Sequence, residues 1–267
     1  MNFFERLDLA VGATNSLLCI GLDSDITKIP EPYRSDPSPQ FSFNRHIIEE
    51  TSEFASAFKP NIAFYEGRGP QGIAELIDTC SFIRTHAPDR PIILDAKRGD
   101  IDSTNVGYVK LAFDVIGADA ITLNPYLGQE ALQPFLKMDD KGFFVLCRTS
   151  NKGAGEFQDK LVDGVPLYQF IARRVSEVWN TKGNCGLVAG ATNPDELRQV
   201  RSMVGDMTLL VPGIGAQGGE VKETVEAGQN SKGAGMVINV SRGVIFNSDP
   251  REAAQNYRDQ INMYRKT

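Results

Sequence analysis

Short, uninterrupted runs of apolar residues recur along the chain and are separated by polar or amphipathic stretches. Such runs are typical of parallel strands that are buried on both faces, because neither face of the strand meets water. The pattern predicts eight strands, at residues 17–23, 57–64, 91–97, 120–125, 142–147, 186–191, 208–213 and 235–240.

Most of the stretches between these runs have helical spacing, and several, among them those at residues 166–179 and 194–204, open with a proline, which suits the first helical turn. The spacing predicts six helices, at residues 70–87, 105–116, 166–179, 194–204, 218–228 and 250–265. The segment 29–42, rich in proline and serine, is expected to be a long loop after the first strand. Eight strands alternating with helices favour an α/β fold, a single (β/α)8 TIM barrel domain over residues 1–267, rather than an open sheet.

Active sites of such barrels lie at the carboxyl ends of the strands, which directs attention to the third run and the loop after it, ILDAKRGDIDST. The two-residue period of a strand places Asp95 and Lys97 on the same face as Ile93, towards the barrel mouth. Leu94 and Ala96 fall on the other face, towards the helices. Charged groups at that depth are costly to desolvate unless they are paired or used.

Two neighbouring strands also carry charged side chains near their ends, Asp23 on the first and Lys59 on the second. Together with Asp95 and Lys97 they could form an alternating chain of carboxylates and ammonium groups. A structural network of ion pairs would give the same pattern, but charges on three successive strands of the catalytic face favour a reaction site.

Glycine-rich turns follow the last two strands, as VPGIGAQGG and VSRG, and barrels commonly bind phosphate there. In these turns Gln217 could reach the phosphate or a sugar, and Arg242 could hold two phosphate oxygens at once. The polar loop RTSNKGAG after the fifth strand could act as a lid and contact a heterocycle.

Composition narrows the function further. The formal net charge of −6 gives no support for binding nucleic acid or an anionic membrane, so any phosphate must be held by a local site. The chain has only two histidines, so a zinc site built from histidines is nearly excluded. The four cysteines lie far apart, mostly in apolar runs, and are expected to be reduced core thiols. With no signal-like or membrane-length apolar segment in the sequence, we expect a cytoplasmic protein.

At these residues the sequence resembles the orotidine 5'-phosphate decarboxylase family, in its longer bacterial (type 2) form. The family signature Asp-x-Lys-x-x-Asp-Ile-x-x-Thr stands here as residues 95–104, with no departure at any defined position. PGIGAQGG and VSRG are similar to the family's phosphate segments, and GLD, FKPN and RTSNKG to the ends of its strands 1, 2 and 5. The resemblance covers essentially the whole barrel; its ten-residue signature is specific, whereas the glycine-rich turns are not.

The resemblance implies decarboxylation of orotidine 5'-monophosphate (OMP) to uridine 5'-monophosphate (UMP), the last step of de novo pyrimidine synthesis, by a homodimer without metal or organic cofactor. The catalytic residues that it implies are Lys59, Asp95, Lys97 and Asp100, the last supplied by the partner subunit. The implied substrate-binding residues are Asp23 at the ribose, Ile101, Thr104 reaching across the interface, Ser150 at the pyrimidine, and Gln217 and Arg242 at the phosphate. Thr149 is an alternative to Ser150, because the alignment of this loop can slip by one residue.

The residues suit that chemistry on physical grounds. Loss of CO2 from C6 of the ring leaves a carbanion without an electron sink, and the Lys97 ammonium can stabilise this charge and then protonate C6. Asp95 and Asp100 on either side would favour the charged form of the lysine. We therefore expect Lys97 to be buried between two acids and protonated at neutral pH.

Two other functions fit the same pattern. Sugar-phosphate decarboxylases and aldolases of this barrel superfamily share the Asp-x-Lys-x-x-Asp core but use Mg2+, and Asp23 with Asp25 could be half of a metal site. Residues Ile101 and Thr104 and the VSRG turn favour the pyrimidine enzyme, and activity in EDTA would separate the two. A barrel that binds a nucleotide phosphate without catalysis is the other alternative, and a Lys97→Ala variant would test it.

Overall fold

The predicted apolar runs coincide with the eight strands of one parallel sheet, to within a few residues at their ends. The structure is a computed structural model that describes residues 1–215 and 220–266. The barrel strands are β1 (Leu18–Leu22), β2 (Ala57–Pro60), β3 (Ile93–Arg98), β4 (Ala120–Leu123), β5 (Gly142–Arg148), β8 (Cys185–Ala189), β9 (Leu209–Pro212) and β10 (Met236–Val240). A two-stranded antiparallel hairpin, β6 (Leu161–Val162) and β7 (Val165–Pro166), lies between β5 and β8.

The sheet curves into a nearly closed barrel. Its strands are hydrogen-bonded in the order β2-β1-β10-β9-β8-β5-β4-β3, and two isolated parallel bridges, Phe58 with Ile92 and Asn61 with Asp95, join β2 to β3. The predicted (β/α)8 barrel is confirmed.

Helices connect the strands and surround the barrel. They are α1 (Phe3–Thr14), α2 (Glu31–Arg34), α3 (Pro39–Thr51), α4 (Ala63–Glu66), α5 (Gly69–His86), α6 (Asp102–Val109), α7 (Gly128–Ala131), α8 (Gln133–Leu136), α9 (Gly155–Gln158), α10 (Leu167–Arg174), α11 (Pro194–Val204), α12 (Val221–Gly228), α13 (Arg242–Ile245) and α14 (Pro250–Met263). The π-helical segments Lys110–Val115 and Val175–Trp179 continue α6 and α10. None of the helices described is long and apolar enough to cross a membrane.

The expected long loop at 29–42 is wrong in part, because the short helix α2 lies within it and α3 begins at Pro39. The start of this helix is fixed by a residue far along the chain: the buried carboxylate of Glu75 accepts hydrogen bonds from the backbone N–H groups of Gln40 and Phe41. These donors have no partner within the helix, so a carboxylate near them stabilises its first turn. The second strand is also shorter than expected and ends at Pro60, where Asn61 turns the chain by accepting a hydrogen bond from the N–H of Ala63.

Two apolar cores hold the molecule together, one between the strands and the helices and one inside the barrel. The barrel interior is filled by one buried side chain from each strand, namely Cys19, Ala57, Ile93, Ala120, Phe144, Val188, Leu210 and Val237. Phe3 and Leu7 of α1 pack against this layer and close the amino-terminal end of the barrel. All four cysteines are buried and free, as predicted.

Candidate active site

A cavity of about 540 Å³ opens at the carboxyl ends of the barrel strands, above the apolar interior. Its walls are the next inward-facing positions of the same strands, in accord with the two-residue period. On β3 these are Asp95 and Lys97, which line the cavity, whereas Leu94 packs into the outer core and Ala96 against it. The orientation predicted for this strand is confirmed.

The charged side chains of the first three strands form a connected array in the cavity. The Nζ atom of Lys97 lies 2.6 Å from Oδ1 of Asp95, and the Nζ atom of Lys59 lies 3.1 Å from its Oδ2. Lys59 is also 4.0 Å from Oδ1 of Asp23. The structure therefore brings four of the predicted residues together as an alternating chain, with Asp95 at its centre.

Burial divides this array into an inner and an outer half. The side chain of Lys59 is 4% exposed, whereas that of Lys97 is 49% exposed. The burial expected for Lys97 is thus not found within one chain, because Asp95 is its only acidic partner among the described residues and its Nζ points to the open side of the cavity. The buried ammonium group of the site is that of Lys59.

The array keeps its buried members ionised. Burial alone would raise the pKa of Asp95, but the ammonium groups of Lys59 and Lys97 outweigh it and hold that pKa well below the usual range of a carboxyl group. Burial alone would lower the pKa of Lys59, but Asp95 and Asp23 outweigh it and raise that pKa above its ordinary value. Both groups are charged at neutral pH.

Thr122 on β4 holds the end of β3 in place. Its hydroxyl oxygen accepts hydrogen bonds from the N–H groups of Ala96 and Lys97 and donates one to Asp95, at 2.9 Å. The regular pairing of β3 with β4 is interrupted here, and Lys97 has a φ of +49°, in the left-handed region that non-glycine residues rarely adopt. Thr122 was not among the predicted site residues, although it occupies the inward-facing position two residues after Ala120.

The remaining residues of the ten-residue signature do not reach the cavity of their own chain. Asp100, Ile101 and Thr104 do not line it, and a carboxylate oxygen of Asp100 accepts a hydrogen bond from the adjacent N–H of Ile101. Ile101 is 54% exposed, although isoleucine is among the residue types most often buried.

The loop after β5 places both Thr149 and Ser150 at the cavity. The hydroxyl of Thr149 already donates to Asn151 and accepts from Gln158, at 2.6 and 2.8 Å. The Ser150 hydroxyl forms no hydrogen bond with the part of the chain that the structure describes, which favours it over Thr149 as a ligand-binding group. Asn151 belongs to the polar loop RTSNKGAG that was expected to contact a heterocycle, whereas Gln158, at the end of the short helix α9, was not expected at the site.

The base of this loop is fixed by Arg148, whose guanidinium binds both carboxylate oxygens of Glu196, at 2.6 and 2.7 Å. Paired, parallel hydrogen bonds of this kind combine charge with a defined geometry. The pair joins the end of β5 to α11 and so anchors the loop that carries Ser150.

The opposite side of the cavity is formed by the two glycine-bearing turns. Gly213 and Ile214 after β9, and Ser241 and Arg242 after β10, line it. No carboxylate of residues 1–215 or 220–266 forms an ion pair with Arg242, so its guanidinium is available to an anion. Gln217, the other predicted phosphate ligand, lies outside the described residues.

The sequence model of the "Orotidine 5'-phosphate decarboxylase / HUMPS family" matches residues 16–257. The chain belongs to this family. Among curated family members, the orotidine 5'-phosphate decarboxylase of Janthinobacterium sp. (strain Marseille) is 47% identical over 271 residues, 99% of each chain. That of Ralstonia pickettii (strain 12J) is 46% identical over 273 residues, 99% of this chain and 100% of the relative.

A solved structure supports the same assignment. The OMP decarboxylase of Leishmania donovani superposes with a TM-score of 0.89 at 40% identity, over 99% of this chain and 98% of that chain. Family membership and full-length coverage together make the chain an enzyme of the carboxy-lyase class.

Asp23 and Asp25 do not come together as half of a metal site. The Asp25 carboxylate accepts hydrogen bonds from Thr27, pairs with Lys28 at 2.9 Å and does not line the cavity. These contacts with Lys28 and Thr27 lower the pKa of Asp25 to about 2. Within residues 1–215 and 220–266 there is no cluster of three histidine, cysteine, aspartate or glutamate side chains that could hold a metal ion.

Proposed function

We propose that this enzyme converts OMP to UMP and CO2, the last step of de novo pyrimidine nucleotide biosynthesis. The observation that carries the proposal is the Lys97 ammonium group, held 2.6 Å from Asp95 at the open edge of a cavity whose far wall carries Arg242. A cation fixed in this way faces any charge that develops on a bound ring. Full-length relatives that carry this activity in their names support the same reaction.

The nucleotide would lie across the cavity. Its phosphate would be held by Arg242 and Gln217, its ribose by Asp23, and its pyrimidine by Ser150. A phosphate bound far from the reacting carbon supplies binding energy that orients the ring against the charged array. The substrate and product are phosphorylated nucleotides, which do not cross membranes unaided, and this supports a cytoplasmic location for the reaction.

In the reaction, the bond between C6 and the carboxylate carbon breaks, and the electron pair remains on C6 as CO2 leaves. The Lys97 ammonium stabilises this carbanion by its charge and then transfers a proton to C6, which completes UMP. The neutral lysine regains a proton from solvent, because its side chain is about half exposed. Asp95 orients the ammonium group, and buried Lys59 keeps Asp95 ionised.

We further propose that two copies of the chain complete each site, with the partner subunit's Asp100 and the partner subunit's Thr104 reaching the substrate. Two observations support this. First, Asp100 and Thr104 do not line the cavity of their own chain. Second, they lie close in sequence to exposed apolar residues, among them Ile101 and Val106. Exposed apolar residues that surround functional polar groups are typical of protein interfaces.

The proposal is tested with purified protein that has been treated with EDTA and then mixed with OMP. The absorbance of the orotate ring should fall as UMP and CO2 form in equal amounts, at the same rate with and without EDTA. Activity that disappears in EDTA and returns with Mg2+, or turnover of sugar phosphates instead of OMP, would contradict the proposal and favour the Mg2+-dependent branch of the superfamily.

A further inference from the structure

Unpartnered polar atoms are concentrated at one corner of the cavity. Six side-chain nitrogen or oxygen atoms of the described residues are buried without a hydrogen-bond partner. Three of them, Oδ1 of Asp23, Oδ1 of Asn239 and Oγ of Ser241, line the cavity where β1 and β10 end side by side. Buried polar groups in folded proteins are nearly always paired, so such a cluster indicates donors that a ligand brings.

Asn239 is the member of this cluster that neither the sequence pattern nor the family signature singles out. It lies on β10 opposite Cys19 of β1, and it is the inward-facing position after Val237 of the barrel interior. Its side chain is buried, with the residue only 7% exposed, and its carboxamide forms no hydrogen bond with any residue that the structure describes. A polar side chain in this position reduces the stability of the empty barrel.

The space for this carboxamide exists because the next inward-facing residue of β1 after Cys19 is a glycine, Gly21. A Cβ atom on Gly21 would lie 2.9 Å from Oδ1 of Asn239 and 2.8 Å from Cβ of Ser241. Gly21 therefore leaves room for two polar side chains, each with a buried oxygen that has no hydrogen-bond partner among the described residues. This arrangement keeps the carboxamide within the cavity wall, next to the strand that ends in Asp23.

The chemistry of the unpartnered atoms defines the ligand group. Oδ1 of Asp23, which lies 4.0 Å from the Lys59 ammonium group, and Oδ1 of Asn239 are acceptors without a hydrogen-bond donor among the described residues, and two adjacent hydroxyl groups would supply two donors. The corner also lies between the two ends of the expected nucleotide site. On one side, Arg242 of the phosphate turn follows Asn239 by three residues. On the other side, Asp23 adjoins Lys59 of the charged array. A ribose lies between the phosphate and the pyrimidine of a nucleotide.

We infer that Asn239 accepts a hydrogen bond from one ribose hydroxyl of the bound nucleotide while Asp23 accepts from the other, so that Asn239 determines specificity for ribonucleotides. The inference rests on the proposed function, since the ribose is that of OMP. A site that pairs with a substrate hydroxyl rejects the analogue without it, because its buried acceptor is then left unpaired.

The test compares wild-type enzyme with Asn239→Leu, which has a similar size but no polar atom, and with the smaller Asn239→Ala. The substrates are OMP, 2'-deoxy-OMP and 3'-deoxy-OMP. Both variants should lower kcat/KM for OMP by about 10- to 100-fold and lose most of the discrimination against one deoxy analogue but not the other. Because Asn239 is unpartnered in the free enzyme, the Tm of Asn239→Leu should equal or exceed that of the wild type.

Thr224→Val is the matched control. The hydroxyl of Thr224 is also buried and unpartnered, but it lies on α12 and not in the cavity, so its loss should leave kcat/KM and the discrimination unchanged. An equal loss of kcat/KM on all three substrates, no loss at all, or a lowered Tm of Asn239→Leu would overturn the inference and leave Asn239 a structural residue.

Calorimetric binding of UMP and of 2'-deoxy- and 3'-deoxy-UMP separates this inference from the proposed reaction. If wild-type protein discriminates between these ligands through Asn239 but does not turn over OMP, the ribose assignment stands and the proposed reaction fails. If OMP is decarboxylated normally but both Asn239 variants discriminate like the wild type in turnover and in binding, the reaction stands and this inference fails.

Discussion

The Nζ atom of Lys97 lies 2.6 Å from Oδ1 of Asp95, at the boundary between the buried and the open part of the cavity. The other oxygen of the same carboxylate binds Lys59, whose side chain is only 4% exposed. Asp95 therefore pairs with one ammonium group that is half exposed and with one that is almost fully buried in the cavity wall. Substitutions at the two lysines should have different consequences for activity and stability.

We expect Lys97→Ala to lower kcat by at least about 1,000-fold, because it removes both the charge that stabilises the carbanion and the proton donor. Binding of UMP should change only a few-fold, since the phosphate and ribose contacts remain. The free energy of unfolding should change by less than about 1 kcal/mol, because the Lys97 side chain is half exposed and Asp95 keeps its pair with Lys59. Single-turnover kinetics, calorimetry and urea unfolding measure the three quantities.

Lys137→Ala, at an exposed lysine outside the cavity, is the control for general effects of removing a positive charge, and it should behave as the wild type. Normal turnover of OMP by Lys97→Ala would show that the assigned role is wrong.

Asp95→Asn should destabilise the fold by about 3 kcal/mol near neutral pH, because it leaves the buried Lys59 with only the more distant Asp23. The pKa of Asp95 is lowered in the folded state, so the stability that it contributes is present above its unfolded pKa of about 3.9 and is lost as the pH falls. The difference in unfolding free energy between wild type and variant should therefore be constant above about pH 5 and shrink below about pH 4.

Urea unfolding of both proteins from acid to neutral pH measures this difference. Asp139→Asn, which removes an exposed carboxylate paired with Lys182, is the matched control and should cost less than about 1 kcal/mol at any pH. If the difference in unfolding free energy between wild type and Asp95→Asn increased towards acid pH, the result would contradict the charges assigned to the array.

The shared site predicts complementation between two inactive variants. Lys97→Ala and Asp100→Ala should each be inactive as homodimers. When the two are mixed in equal amounts and exchange subunits, half of the dimers hold one intact site, and about a quarter of the wild-type activity should return. Activity that stays at the level of the separate variants, after exchange has been verified by mass spectrometry of the mixed dimer, would contradict the contribution of the partner subunit.

Gly21→Ala should impair substrate binding more than it impairs folding. Its Cβ would collide with Ser241 and Asn239 and would push their side chains into the cavity, which raises KM for OMP by about tenfold or more. The cost in unfolding free energy should be about 1 to 3 kcal/mol. Gly12→Ala, at a helix position where a Cβ meets nothing within 4 Å, is the control and should keep the wild-type KM. An unchanged KM for Gly21→Ala would show that this corner does not contact the substrate.

The fold and the centre of the site could be predicted because both follow from local periodicity. Apolar runs located the strands, and the two-residue alternation oriented Asp95 and Lys97 into the cavity, which the structure confirms. The roles of the individual site residues stay predictions, since they depend on a bound nucleotide and a second chain.

The features that could not be predicted depend on contacts between distant parts of the chain. The start of α3 is fixed by Glu75, which lies 35 residues after Gln40. The exposure of Lys97 follows from the irregular end of β3, which Thr122 of the next strand holds. Neither the start of α3 nor the exposure of Lys97 is indicated by the residue pattern of its own segment.

The packing of α1 against the barrel interior limits the routes by which molecules reach the reaction. Phe3 and Leu7 cover the end of the barrel opposite the cavity, so the part of the chain that the structure describes leaves no second exit beneath the charged array. The gas released by the reaction must leave through the same opening that admits the nucleotide. Any group that covers this opening during turnover therefore controls substrate entry, product departure and the access of water together.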